Sequence, residues 1–286
     1  MNTEHSEFIK NFEDEVRNTI EKYALINRGE RVLVACSGGK DSTTTLYLLN
    51  KFGYSPEAMI IDLEIGEYSK KNLNNIKSFC SEHNIKLHNV SFKEVFGYSM
   101  CYIRSVLNSK YGLGSCHVCG VLKRVLMNRK SREMGFDKIA TGHNLDDESQ
   151  NIFMNLIQGN VSFCARLGPM TGQVKDKQFV QRIKPLYFCP EDNVRRYSKL
   201  MEFPVVYEPC PCSVNTFRSF IGEILDSMET ENPKTKKNIV NNIMELKPAL
   251  IEHYKTTEKI TYCEICGEPS QNKVCNACEL IKKLRD

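Results

Sequence analysis

No apolar run in this chain of 286 residues approaches the ~20 needed to cross a bilayer, so no membrane-spanning helix and no membrane partner are expected. The start, Met1-Asn2-Thr3-Glu4-His5, has neither the basic residues nor the apolar core of a secretion signal, and the expected compartment is the cytoplasm. Internal repeats and low-complexity tracts are absent. So is a strong excess of either charge: a net charge of +4 permits a nucleic-acid partner without requiring one. Any RNA-binding face has to come from local clustering. What the chain does have is enough length for one large domain plus an appendage, 41% apolar residues to build a core, and thirteen cysteines. In a reducing cytosol these are poor candidates for disulfides, so metal or redox chemistry is the better reading.

Phe8, Phe12, Val16, Ile20 and Tyr23 recur at helical steps and predict an amphipathic helix. Arg31 to Cys36, Ala58 to Asp62, Lys86 to Phe92 and Lys138 to Gly142 read as strands. Helices are expected over Asp41 to Lys51, Tyr68 to Glu82, Val95 to Leu107, Cys116 to Gly135 and Asp146 to Ile157. Strands alternating with helices predict an α/β fold, a parallel sheet flanked by helices in the Rossmann-like manner. Ligands of such sheets collect at the carboxyl ends of the strands. From Ser213 the pattern is mostly helical, with a polar break at Glu231 to Lys237, and the cysteine-dense tail from Thr261 reads as a separate small module. The expected division is residues 1–27, an N-terminal helix; 28–212, a catalytic domain; 213–258, a helical extension; and 259–286, a small metal module.

Ser37-Gly38-Gly39-Lys40-Asp41-Ser42 follows the first strand and opens a helix. Glycines let the backbone approach an anion, and the helix start offers unpaired N–H groups and a positive dipole end. Lys40 adds a charge, Ser37 and Ser42 donate hydrogen bonds, and Asp41 fits a phosphate nest if Mg²⁺ lies between. The loop is not the G-x-x-x-x-G-K-[ST] pattern of kinases. It resembles the SGGKDS loop of the ATP-pyrophosphatase (PP-loop) family, which implies cleavage of ATP between the α and β phosphates. Asp62 ends the second strand; it is either a turn carboxylate or, as the family implies, an adenosine contact. Thr141-Gly-His-Asn-Leu-Asp-Asp147 again joins a strand to a helix and resembles the GHNxDD segment of the tRNA-modifying branch. There Gly142 admits the nucleotide closely, and Asp146 and Asp147 stand where carboxylates cap a helix or contact substrate. The resemblance favours Asp147 as the catalytic carboxylate. His143 is either packed or a donor facing the ligand.

Cys116-His-Val-Cys119 alone is ambiguous between redox, zinc and iron–sulfur chemistry. With Glu208-Pro-Cys210-Pro-Cys212 far along the chain, and with Cys119 to Asn128, Gly142 to Gly159 and Ile61 to Ser69, it is similar to the tRNA 2-thiolation enzymes of the TtuA, NcsA and TtcA type. The resemblance spans roughly residues 30 to 220. It implies a PP-loop/HUP-like fold and a [4Fe–4S] cluster held by three cysteines: Cys116, Cys119 and Cys210, the last marked by Pro211 and Arg218. Cys212 is a fourth ligand, a persulfide carrier or a bystander; a zinc site at the same thiols is the bland alternative. The resemblance also implies a functional Lys123, ATP as substrate, Asp41 in catalysis, and a sulfur donor such as sulfide, a ubiquitin-like thiocarboxylate or a desulfurase. Relatives are commonly homodimers.

Cys263-x-x-Cys266 and Cys275-x-x-Cys278, eight residues apart, predict a Cys₄ zinc module that needs Zn²⁺ to fold. Arg124, Arg129, Lys130 and Arg132 cluster near the proposed cluster ligands, with Arg166, Arg182 and Lys184 beyond. They are either a solvated face or contacts to tRNA phosphates. The expected function is ATP-dependent adenylation of C2 of a tRNA uridine followed by sulfur transfer. A 2-thiocytidine synthetase, a PP-loop amidating ligase with structural zinc, and a non-catalytic RNA-binding module are the alternatives.

Overall fold

Val32–Cys36 is almost wholly buried, the pattern of a strand covered on both faces rather than one facing water. In the computed structural model, which describes residues 3–171, 176–212, 216–254 and 261–285, this strand, β1, lies at the centre of the main sheet. The expected divisions at 212/213 and 258/259 adjoin or lie within segments outside the described residues. Helix α1 (Thr3–Lys22) buries Ile9, Phe12, Val16 and Ile20 beside the sheet domain. Then come β1, α2 (Lys40–Lys51), β2 (Glu57–Asp62), α3 (Gly66–Glu82) and β3 (Leu87–Ser91). The expected strand end at Phe92 and single helix from Val95 are revised. Ser91 caps a short α4 (Phe92–Phe96), and Gly97 at φ +82° ends it. Ser99 then caps α5 (Met100–Tyr111).

Helix α6 (Ser115–Glu133), β4 (Lys138–Ala140), α7 (Leu145–Ile157) and α8 (Val161–Cys164) follow. The next stretch carried no sequence expectation. It holds β5 (Met170–Thr171), β6 (Gln181–Ile183) and α9 (Glu191–Leu200); strands of two and three residues are too short to show alternation. The helical extension is α10 (Phe217–Glu231) and α11 (Thr235–His253), parted at the expected polar break. The tail forms β7 (Thr261–Tyr262), β8 (Pro269–Ser270) and α12 (Asn276–Arg285).

The main sheet runs β3-β2-β1-β4-β6-β5, parallel except for β5 at the edge. Chain order reverses direction between β1 and β4. That makes their carboxyl ends the crevice where such folds bind ligands. Both glycine-containing motifs leave the sheet there. The tail does not stand apart: Leu280 and Leu284 of α12 share one apolar cluster with Ile103 and Leu107 of α5 and Leu122 and Leu126 of α6. Each such leucine contributes about 2 kcal/mol of burial. No helix among the described residues is long and apolar enough to cross a membrane.

Candidate active site

The first motif closes on itself through its serines. The Ser37 N–H donates to Ser42 Oγ at 3.1 Å, and the two hydroxyls lie 3.3 Å apart. Gly39 at the N-cap of α2 brings no side chain to cap the helix, which leaves its first amides as donors for an anion. Gly38 has φ +79°, and a Cβ there would lie 2.6 Å from Asn72 Cβ of α3, so the turn requires glycine twice over. Gly39 also bridges Val206, which draws the segment leading to Cys210 against the loop.

Gly142 is where structure revises the sequence argument. A Cβ there would lie 2.6 Å from Asp41 C and Ser42 N. The close approach that Gly142 permits is therefore that of the first motif's own backbone, and it locks the two nucleotide-type loops together. Asn144, not singled out from the sequence, completes the joint. Its Nδ2 donates to Asp41 Oδ1 at 3.1 Å, and its side chain forms a capping box with Asp147. The Asn-x-x-Asp spacing was the signal that could have found it.

The two aspartates divide their work. Asp146 is buried; one oxygen pairs with Lys236 of α11, the other accepts the Glu191 N–H at 2.7 Å. Expected as a nucleotide contact, it instead ties α7 to α9 and α11. Asp147 serves the capping box and also accepts from Arg218 at 3.3 Å, half-exposed to the cleft. Burial raises the Asp41 pKa, and the neighbouring Asp147 charge adds to this against Lys40 and Asn144. Lys40 does not reach freely into the loop: its Nζ sits 2.7 Å from Glu191 and 3.1 Å from Asp41. Burial alone would lower its pKa, yet the two acids raise it and keep it charged. Asp62 Oδ1 accepts the Glu64 N–H at 2.9 Å, the turn role that stood as the alternative to the adenosine contact the resemblance favours. His143 is open to the cleft, and its Nδ1 lies 2.8 Å from Thr141 Oγ1. The surrounding protein, then Lys184, Arg218, Arg182 and Lys123, lower its pKa, so the ring is neutral at physiological pH.

The two cysteine segments, Cys116 to Cys119 and Cys210 to Cys212, meet. Cys116 and Cys119 occupy the first turns of α6, and the Cys116 thiol donates to the Cys212 carbonyl at 3.6 Å. Cys119 feels Lys123, Cys116, Arg104 and Cys212; Cys210 is hydrogen-bonded to Cys212 and feels Cys119. Burial raises both thiols first. Cys116, Cys119, Cys210 and Cys212 all keep some exposure. Among the described residues only the tail's Cys263, Cys266, Cys275 and Cys278 have all ligand atoms within 4.8 Å of one another. That spacing suits one tetrahedral ion. Thiols spread more widely suit a cluster, whose ligands bind different iron atoms.

The family model for the tRNA methyl transferase HUP domain matches residues 30–205. The chain is 36% identical to a tRNA-5-methyluridine(54) 2-sulfurtransferase of Pyrococcus horikoshii over 272 residues, 95% of this chain and 85% of that protein. It is 30% identical to the tRNA 2-thiolation protein NcsA of Haloferax volcanii, over 88% of this chain and 82% of that one. This chain belongs to the tRNA 2-thiolation family. The U34-tRNA thiolase NcsA of Methanococcus maripaludis, solved with its [4Fe–4S] cluster, superposes on the chain with a TM-score of 0.81. That match has 34% identity and covers 97% of this chain and 88% of that one.

The basic residues of this tRNA 2-thiolation family member do not act as one face. Arg129 and Arg132 bind the buried Glu268 of the tail at 3.2 and 2.6 Å, and Lys130 pairs with Glu133. Arg129, expected on RNA, is thus engaged in docking the tail. Arg166 lies over the Phe163 ring. Lys123 and Arg124 have no ion pair among the described residues and remain for the cleft. In the tail, burial pushes the Cys263 thiol up, but N–H groups of Cys275, Cys266 and Ile265 outweigh it and bring it to about 6, favouring the thiolate.

Proposed function

We propose that this chain is a cytoplasmic, ATP-dependent tRNA-uridine 2-sulfurtransferase. The observation that carries the reading is the meeting of Cys116, Cys119 and the Cys210–Cys212 loop with two nucleotide-type loops at the carboxyl ends of β1 and β4. The first amides of α2 receive the ATP phosphates, with Ser37 and Ser42 shaping the nest. Asp41 and Asp147, two carboxylates at one point, are the hard oxygen donors through which Mg²⁺ is held. The C2 oxygen of the uridine attacks the α-phosphate and pyrophosphate leaves. A sulfide-level donor then adds at C2, and AMP departs with the original oxygen, with no net redox change.

Lys123, on the helix turn after Cys119 and without an acid partner among the described residues, offsets charge developing on the base and the leaving phosphate. Arg218 orients Asp147. Cys116, Cys119 and Cys210 would hold a [4Fe–4S] cluster. Such a cluster supplies an open iron for a soft sulfur ligand. Zn²⁺ belongs in the four-thiol tail.

The test has two arms. Protein purified without oxygen is assayed for iron and acid-labile sulfide, with Cys210→Ser and Cys212→Ser beside it. Nucleosides of tRNA from cells lacking the protein are read by mass spectrometry. Cluster-level iron in the native protein, lost in C210S and kept in C212S, and a missing 2-thiouridine are expected. An iron-free protein of full activity, or an unchanged nucleoside profile, would count decisively against the reading.

A further inference from the structure

Several cations near the cysteine site have an acid: Arg129 and Arg132 share Glu268, Lys184 pairs with Glu148, and Arg218 with Asp147. Arg124 and Arg182 do not, among the described residues. The Arg124 guanidinium folds back along α6 until its terminal nitrogens lie 3.4 Å from where a Gly120 side chain would begin. Arg182 stands in β6 opposite Ile139 of β4, at the sheet end from which Thr141–Asp147 departs. The side chain of Asn128 stitches α6 to the start of that strand, its Oδ1 accepting the Val180 N–H at 3.0 Å. Asn128 lies one helical turn from Arg124, and Val180 lies just before the strand that carries Arg182, so the two arginines come from elements held against each other.

Two guanidiniums brought together repel unless an anion joins them. The ATP phosphates already have a seat, the start of α2 beyond β1. Arg182 lies on the far side of β4 from it, because the strand order is β1-β4-β6. Planar forks from two directions suit the non-bridging oxygens of a phosphate better than they suit a base edge.

Resting on the proposed function, we infer that Arg124 and Arg182 form a clamp for one sugar–phosphate linkage of the RNA strand, holding the target nucleotide between the paired loops and Cys119. The RNA phosphate relieves the repulsion between these two like charges. Neither arginine need touch the reacting atoms; both act by position.

Binding of the full chain to a pool of tRNA lacking the thio modification tests this, read by fluorescence anisotropy at several salt concentrations. R124Q and R182Q should each weaken binding about 10-fold and flatten the plot of log affinity against log salt by about one unit. Their combined loss should fall short of the product, since both hold one phosphate. R182K should restore the salt slope but only part of the affinity. ATP affinity by calorimetry and iron content should stay within about twofold of the native protein. Unchanged tRNA affinity in R124Q and R182Q overturns the clamp, and so does a loss confined to ATP, which would make the pair a nucleotide-phosphate site. Should R182Q melt early, R124Q, at an exposed position, decides alone. A native protein that binds tRNA through these arginines yet adds no sulfur would sink the proposed function and leave the clamp. Thiolation with both variants binding normally would do the reverse.

Discussion

Lys123 gains its meaning from its neighbours. Its position one turn after Cys119 is readable in the sequence, but a lysine there is by default a solvated one. The fold places its charge within range of both Cys119 and His143 and gives it no acid among the described residues. We expect K123M to lower kcat for tRNA thiolation by about 10²-fold or more, with the KM for ATP and the iron content little changed, since the lost charge acts on the transition state. Single-turnover kinetics with loaded protein would check this, and a change confined to KM would contradict it. Gly142 and Asp146 show the converse. Both stand in a nucleotide-type motif, and both work on the protein itself, one by admitting the Asp41–Ser42 backbone and the other by holding Lys236 and the start of α9.

Elements are joined at both ends of the sheet by charge. At the end away from the site, Glu57 opens β2 and accepts from Arg31 before β1 and from Lys86 and His88 of the β3 segment, at 3.0, 3.2 and 2.6 Å. Burial works against the charged form, but these three donors outweigh it and bring the carboxyl down to about 2. A depressed carboxylate pKa stabilises the fold above the unfolded value of 4.5, and that stability drains as pH falls toward 2. After allowance for solvent screening the contribution is about 2 kcal/mol at neutral pH. E57Q should therefore be destabilised at pH 7 and lose less on acidification between pH 5 and 2. Urea melts across that range read the difference, and parallel acid curves for the two proteins would refute the linkage.

At the scale of the whole molecule, the tail is part of the catalytic body. Glu268, 3% exposed, receives Asn128, Arg129 and Arg132 of α6, the helix that carries Cys116 and Cys119. The zinc-type module thus braces the cysteine helix from behind. Glu268→Gln would leave two guanidiniums short of their counter-charge, at a cost of about 2–3 kcal/mol. We expect a lower melting temperature together with faster amide exchange in α12. Exchange confined to α12 with α6 unaffected would show that the tail merely rests on the domain.

The α/β class, the two nucleotide-type loops, the Cys116–Cys119 pair and the tail's four cysteines were legible in the chain because each is local. A strand period, a Gly-Gly turn, a Cys-x-x-Cys spacing or a capping box lies within a few residues, where steric and hydrogen-bonding rules act without the rest of the fold. Tertiary structure alone decided what is set by distance between remote segments: that Gly142 packs on Asp41, that Arg129 serves the tail while Arg124 does not, and that β6 completes the sheet beside β4. No spacing in sequence encodes those pairings, because a side chain's partner, and therefore its charge state and role, depends on which surfaces the folded core brings together.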